Sequence, residues 1–367
     1  MTHVPGSRLA IALSGVVVVA ALGAHTLFAD PPHAAADKPP AAAEPAPALT
    51  PFVEAHAHFD AADPQGSVRA ALAALPRENA VMVLFQIPPD TFDHPGHHDA
   101  EVVLAEARKS GGRIGVLGGG GTLNAMIIQA AATGDAGPAV QKKFKQRAEE
   151  LLKEGAIGFG EMTAEHYSGI TPYQYAPADH PLYLLLADIA AAHGVPIDLH
   201  MEAVPEDMAL PAGQKSPPNP PKLHGNIAAF ERLLAHNPRA RIIWAHAGAD
   251  GTGQRTPALC RRLLRAHPNL SMEIKADPHA QGMNYPLADG KLKPEWRALF
   301  TEFADRFVVG SDQHYPEPEG AGAAPQRWQE VVRLLDQLPE DVRRKIATEN
   351  AARLYAAVAR HVTAAKP

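Results

Sequence analysis

The chain has 367 residues, of which 46% are hydrophobic and 20% charged, and its formal net charge is −6. This composition supplies a large core and excludes disorder of the whole chain. The mild acidity argues against a nucleic-acid partner, which would select a basic face. The single cysteine, Cys260, excludes an intramolecular disulfide and any metal site built from cysteines.

The N-terminal residues predict a targeting segment. An apolar run over residues 9–24 follows Arg8, and Leu27-Phe28-Ala29 ends on a small residue that suits cleavage. Residues 1–29 are therefore interpreted as a secretory signal peptide, and the mature protein as periplasmic or secreted without stable membrane association. The alternative is an uncleaved membrane anchor, because the apolar stretch nearly reaches spanning length.

Residues 30–50 are rich in proline and alanine and are interpreted as an extended linker. After the linker, short apolar or β-branched runs alternate with helix-like stretches. The runs, each predicted as a strand, are 52–58, 81–87, 113–118, 156–162, 196–200, 241–247, 269–275 and 306–312. The amphipathic helix candidates between them include 68–75, 144–154, 228–237 and 258–267.

This alternation predicts a (β/α)₈ TIM barrel, a single α/β catalytic domain over residues 51–360. The alternative is an open doubly wound sheet, which usually carries a glycine-rich phosphate turn after its first strand. Histidines occupy that position here. The four glycines at 118–121 match neither a dinucleotide fingerprint nor a P-loop, and they predict a positive φ or a close backbone approach.

Catalytic groups of such barrels lie at the C-terminal ends of the strands. Five of the eight predicted strands end in side chains that can bind a metal: His56 and His58, Glu161, His200, His246 and Asp312. Residues i and i+2 of a strand share one face, so His56 and His58 can bind one ion. Each residue alone has an ordinary structural explanation, but the set predicts a metal centre. Imidazoles and carboxylates suit Zn²⁺, with Mn²⁺ or Fe²⁺ as alternatives.

The ordered motifs EAHAH, GFGEM, DLH, WAHAG and VGSD resemble those of the amidohydrolase superfamily. They are most similar to its amidohydrolase-related branch, which also contains decarboxylases, and IATENAARLY at 346–355 is similar to that branch's closing helix. The resemblance covers residues 51–357 and implies a metal-dependent barrel hydrolase. It places His56, His58, His200, His246 and Asp312 at the family's metal and catalytic positions.

One position departs from the pattern of many members, which carry a carboxylated lysine where this chain has Glu161. Glutamate bridges two metals in some relatives and need not bind in others, so one or two ions are expected. The resemblance implies that metal-activated water attacks an ester, lactone or amide bond of a small-molecule substrate. It also implies that Asp312 moves the proton, and that His246 binds a second metal or hydrogen-bonds the reacting oxygen.

Lys275 ends the seventh run and is a candidate anchor for an anionic group of the substrate, with a solvated lysine at the rim as the equally weighted alternative. Three other functions stay open. The first is nonoxidative decarboxylation, which uses the same set of metal ligands. The second is a nuclease, which Glu161 favours but the acidity and the predicted export disfavour. The third is a non-catalytic metal-binding protein, although such a protein would not need a full ring of ligands around an open cavity. The sequence also leaves the substrate and a homo-oligomeric state open.

Overall fold

The computed structural model describes residues 50–89, 98–167, 172–249, 251–276, 284–316 and 327–364. The predicted signal peptide and all but the last residue of the predicted linker lie outside these ranges. Among the described residues, no helix is long and apolar enough to cross a membrane.

Strands that overlap the eight predicted runs form the barrel. They are β1 (Phe52–Phe59), β2 (Ala80–Gln86), β3 (Ile114–Gly119), β4 (Phe159–His166), β5 (Pro196–Met201), β6 (Arg241–Ala247), β7 (Leu270–Ile274) and β8 (Phe307–Val309). Each strand pairs in parallel with the next one in sequence, from β1 to β8. This order confirms the predicted (β/α)₈ barrel.

The barrel closes through a chain segment that changes its partner. β8 pairs with β7, and the short strand Gln313–Tyr315 then pairs in parallel with β1. In the break between the two strands, the Gly310 amide donates to the carbonyl of Ile274 and the Asp312 amide to that of His56. The predicted run 306–312 is therefore not one continuous strand: it breaks at Gly310, and Asp312 follows the break at the C-terminal end of the barrel.

Helices cover the outside of the barrel and alternate with its strands. They are α1 (Pro64–Glu78), α2 (Glu101–Arg108), α3 (Leu123–Thr133), α4 (Pro138–Glu154), α5 (Pro181–His193), α6 (Ile227–His236), α7 (Pro257–Ala266), α8 (Pro294–Glu302), α9 (Arg327–Leu335), α10 (Glu340–Arg344), α11 (Asn350–Leu354) and α12 (Ala356–Ala364). The helix candidates 68–75 and 144–154 lie within α1 and α4, and the candidates 228–237 and 258–267 lie within α6 and α7 except for their last residue. In α7, the apolar positions Cys260, Leu263 and Leu264 are buried against the barrel.

The segment predicted to close the domain differs locally from a continuous α-helix. It begins as the π-helix Lys345–Glu349 and continues as α11. The buried side-chain amide of Asn350 donates to the carbonyls of Ala304 and Phe307, each at 2.7 Å. These bonds hold α11 against the residues that lead into β8.

The glycine prediction at 118–121 is confirmed at three positions, including Gly121, where a Cβ would lie 1.6 Å from the carbonyl oxygen of His98. Gly119 has φ +108°, a backbone conformation that side chains with a Cβ rarely adopt. At Gly120, a Cβ would lie 1.9 Å from the carbonyl oxygen of Ile87, so the β3 end packs directly against the chain that follows β2.

Candidate metal centre

The predicted metal residues meet at the C-terminal end of the barrel. Five of them line a cavity of about 380 Å³, together with Lys275: His58, Glu161, His200, His246 and Asp312. His56 is fully buried beneath them. The sequence predicts that Glu161 lies at the end of its strand. In the structure, β4 continues for five more residues to His166.

A first group of donor atoms combines β1 with the segment that follows β8. The Nε2 atom of His58 lies 2.9 Å from Oδ1 of Asp312 and 3.6 Å from Oε2 of Glu161. The Nε2 atom of His56 lies 3.6 Å from the same Glu161 oxygen and 4.0 Å from the same Asp312 oxygen. We call these four atoms the first donor set.

A second group uses the other oxygen of the same glutamate. Oε1 of Glu161 lies 2.7 Å from Nδ1 of His200 and 3.2 Å from Nε2 of His246. We call these three atoms the second donor set. Glu161 is therefore shared, with one carboxylate oxygen facing each set.

The spacing and burial of these atoms fit divalent cations. Ligands at about 2.1 Å in tetrahedral geometry lie about 3.4 Å apart, which is the scale of the distances in both sets. In addition, Nε2 of His56 is buried and has no hydrogen-bond partner among the described residues. A buried polar atom without a partner is costly unless something else binds it. The residues present therefore fit a metal.

The electrostatics of the second set follow from Glu161. Burial alone would raise the pKa of this carboxyl group, but hydrogen bonds with His200 and His246 hold it well below its usual range. For His200, burial lowers the pKa, and hydrogen bonds to Glu161 and Glu202 outweigh this and raise it to about 9. Burial and the positive charge of Lys275 lower the pKa of His246. The site thus keeps a carboxylate that is ionised, as a ligand must be.

Asp312 has two cationic neighbours besides the histidines. Its Oδ2 atom lies 2.5 Å from Nζ of Lys275 and 2.9 Å from a terminal nitrogen of Arg327, while Oδ1 belongs to the first donor set. Burial raises the pKa of Asp312, but Lys275 and then His58 outweigh it and hold this pKa well below its usual range. Lys275 is therefore not the solvated rim lysine of the alternative interpretation, because it is paired and its side chain is only 15% exposed.

Two of the predicted site residues adopt unusual backbone conformations. His246 has φ +67° and Asp312 has φ +61°, both in the left-handed region that residues other than glycine seldom occupy. Such conformations persist where the surrounding structure determines them, and they concentrate at functional sites. Here they occur at His246, near the end of β6, and at Asp312, which follows β8, and both side chains line the cavity.

Sequence reasoning missed several residues that contact the predicted ligands. Nε2 of His200 lies 3.0 Å from Nδ1 of His166 and 3.3 Å from a carboxylate oxygen of Glu202. Nδ1 of His56 lies 2.8 Å from Oε2 of Glu273. The period-two pattern could have indicated two buried carboxylates inside the barrel, because Asp198 precedes His200 by two residues and Glu273 precedes Lys275 by two. Arg327 carries no such signal.

The comparisons with known proteins agree with this fold. The amidohydrolase family model matches residues 20–357, and the chain belongs to the amidohydrolase family. Members of this family are enzymes that typically depend on a metal and act on small molecules, mostly as hydrolases. No curated protein matches the chain significantly.

Several solved structures are similar to this chain at low sequence identity. A 4-oxalomesaconate hydratase from Rhodopseudomonas palustris has 10% identity over 85% of this chain and 98% of its own, with a TM-score of 0.51. A mutant of a PTE-like lactonase from Deinococcus radiodurans has 18% identity over 84% and 95%, with a TM-score of 0.49. A dihydroorotase from Campylobacter jejuni has 14% identity over 83% of each chain, with a TM-score of 0.43. At these identities, the likeness concerns the fold alone.

Proposed function

We propose that this protein is a metal-dependent hydrolase that uses water to cleave an ester, lactone or amide bond of a small molecule. The observation that carries the proposal is the position of Glu161, whose two oxygens face two separate donor sets. A carboxylate shared in this way suits two divalent ions side by side. Zn²⁺ is the first choice for imidazole and carboxylate ligands, with Mn²⁺ or Fe²⁺ as alternatives.

The residues divide into clear roles. The first donor set, from His56, His58, Asp312 and Glu161, would hold one ion, and Glu161, His200 and His246 a second. A divalent ion at such a site lowers the pKa of water and polarises a carbonyl oxygen. As the general base, the Asp312 carboxylate would accept the proton from the attacking water and pass it to the leaving group. Lys275 and Arg327 hold Oδ2, so Oδ1 stays turned towards the donor set.

The cavity limits the substrate to a small molecule. Its volume of about 380 Å³ lies in the range of small-ligand pockets. Beyond the donor sets, its walls are formed by Pro88, Pro89, His166, Gln174 and His314. Imidazole and amide groups can hydrogen-bond a polar substrate. Lys275 is already paired with Asp312, so a substrate anion that binds this lysine would have to share it with that carboxylate.

Metal content and product analysis test the proposal together. The purified protein should contain divalent ions by elemental analysis, and His56→Ala and His246→Ala should each lose one of two ions. His236→Ala is the matched control, because this histidine pairs with Asp188 on the surface. A panel of esters, lactones, amides and aromatic acids should show hydrolysis that depends on the ion. Release of CO₂ from aromatic acids without hydrolysis would favour the decarboxylase alternative, and protein that binds no divalent ion would contradict both.

We also propose that residues 1–29 are removed on export and that the mature protein is periplasmic or secreted. The support is the apolar run 9–24 and the small residue before Asp30. Mass spectrometry of the protein from its native host should find an N-terminus near Asp30. Intact Met1 in a membrane fraction would instead favour the anchor.

A further inference from the structure

A buried carboxylate lies directly behind the first donor set. Glu273, on β7, is fully buried in the barrel interior, and its Oε2 atom lies 2.8 Å from Nδ1 of His56. The next carboxylate oxygen, Oδ1 of Asp198 on β5, is 3.6 Å from the same nitrogen. Glu273 is therefore the hydrogen-bond partner of the His56 ring on the side away from the cavity.

This contact decides which nitrogen of His56 faces the cavity. At 2.8 Å, Oε2 of Glu273 can accept a hydrogen bond, which favours the tautomer of His56 that carries its hydrogen on Nδ1. The opposite nitrogen, Nε2, then presents its lone pair towards Glu161 and Asp312, from which it is 3.6 and 4.0 Å away. A ring held at one nitrogen by a carboxylate keeps both its tautomer and its orientation.

The fold makes room for this carboxylate at the break that follows β8. A Cβ on Gly310 would lie 2.7 Å from Cδ of Glu273 and 2.8 Å from Oε2, which no real side chain tolerates without displacement. On another side, the Gln86 amide donates to Oδ2 of Asp198 and to the Ala55 carbonyl. Gly310 and Gln86 thus bound the space in which Glu273 and Asp198 meet His56.

We propose that Glu273 is a positioning residue that orients His56, through its Nδ1 atom, for metal binding by Nε2. The inference rests on the proposed metal centre, because His56 is one of its ligands. Glu273 itself touches neither the cavity nor a substrate. Its removal should therefore act on the first donor set and leave the second, formed by Glu161, His200 and His246, able to bind.

Four variants separate this role from a general effect on folding. Glu273→Leu removes the acceptor, whereas Glu273→Gln keeps a carbonyl oxygen for Nδ1 and offers an amide donor to Asp198. Asp198→Asn changes the neighbouring carboxylate that lies beyond hydrogen-bond distance of Nδ1. Glu295→Gln, on an exposed position of α8, is the control for loss of a carboxylate elsewhere. Thermal unfolding of all four proteins checks that they fold.

The first measurement is the affinity for Zn²⁺ by competition with a chelator at constant pH. Loss of an outer hydrogen-bond partner of a ligand histidine typically weakens metal binding by about 10- to 100-fold. We expect a weakening of this size for one of two ions in Glu273→Leu. In the other three variants, the affinity for Zn²⁺ should stay within about threefold of wild type. Wild-type affinity in Glu273→Leu would overturn the inference, as would an equal loss in Glu273→Gln.

The second measurement needs no metal and separates this inference from the proposed function. In metal-free protein labelled with ¹⁵N-histidine, the Nδ1 hydrogen of His56 should give a downfield, slowly exchanging NMR signal, assigned by its loss in His56→Gln. The signal should persist in Glu273→Gln and disappear in Glu273→Leu. If it persists in Glu273→Leu, the inference is wrong, even if the protein binds metal. If wild type binds ions and the signal behaves as expected, but no substrate of the panel is hydrolysed, the proposed function alone fails.

Discussion

Replacement of Asp312 by asparagine is the sharpest test of the proton-transfer step. The substitution keeps the shape of the side chain and one oxygen, but the amide cannot take a proton. A general base typically contributes 10²- to 10⁴-fold to turnover, so we expect Asp312→Asn to lose at least ~10²-fold in turnover per bound ion. Turnover is measured on the best hydrolysed substrate of the panel and divided by the ion content of the same sample.

The structure also predicts a loss of stability in this variant. Asp312 is the negative partner of Lys275 and Arg327, whose side chains are only 15% and 18% exposed. Removing one partner of a buried ion pair costs about 3–5 kcal/mol, and the partial exposure here points to about 3 kcal/mol. The matched control is Asp305→Asn, which breaks an exposed pair with Lys345 and should cost less than about 1 kcal/mol. Urea unfolding of metal-free protein measures both changes.

Two results separate a base from a ligand at position 312. If Asp312 only binds metal, the variant's turnover falls in proportion to its ion content, and turnover per bound ion equals that of wild type. That result would refute the assigned role and move the base to His246. A drop of ~10²-fold per ion, with most of the ion retained, supports proton transfer by Asp312.

Three further predictions follow from the surroundings of single residues. His200→Ala should remove one of two ions, measured by elemental analysis, because Nδ1 of His200 belongs to the second donor set alone; loss of both ions would contradict separate sets. Gly310→Ala should lower the free energy of unfolding by about 1–3 kcal/mol, because its Cβ would lie 2.7 Å from Cδ of Glu273; an unchanged urea midpoint would contradict this. Burial raises the pKa of Glu165 from 4.5 to about 7. The folded state therefore favours its protonated form, and a stabilisation of about 3 kcal/mol, at ~1.4 kcal/mol per pH unit, should be lost as the pH rises from about 4.5 to about 7. Glu165→Gln should flatten this part of the stability curve, and an unchanged slope would exclude Glu165 as its source.

The local pattern of the sequence was enough to predict the barrel and the place of its site. Apolar runs such as 241–247 alternate with amphipathic stretches such as 258–267. The strand and helix patterns that these segments show depend only on residues close together in the chain. In parallel barrels, the strand ends meet at one face, so His56, His58, Glu161, His200, His246 and Asp312 could be placed together before their contacts were known. The structure brings all six together.

Contacts between distant segments could only be read from the tertiary structure. The hydrogen bond between His56 and Glu273 joins residues 217 positions apart, and its existence depends on the radius and register of the barrel. The break between Gly310 and Asp312 likewise reflects a change of strand partner, from β7 to β1, which no local period encodes.

The dependence on contacts between distant segments also explains why the sequence left the roles of Lys275 and Glu161 open. Lys275 could be interpreted equally as a substrate anchor or as a solvated lysine, and the fold pairs it with Asp312 at 2.5 Å. Glu161 could bind one ion, two or none, and its role depends on which side chains face each oxygen. Those side chains come from β1, β5 and β6, so the answer follows from how the strands are arranged around β4. Side-chain chemistry and strand order were determined by the sequence alone, whereas the pairing of individual atoms was decided by the closed barrel, because only closure brings strands remote in sequence within bonding distance.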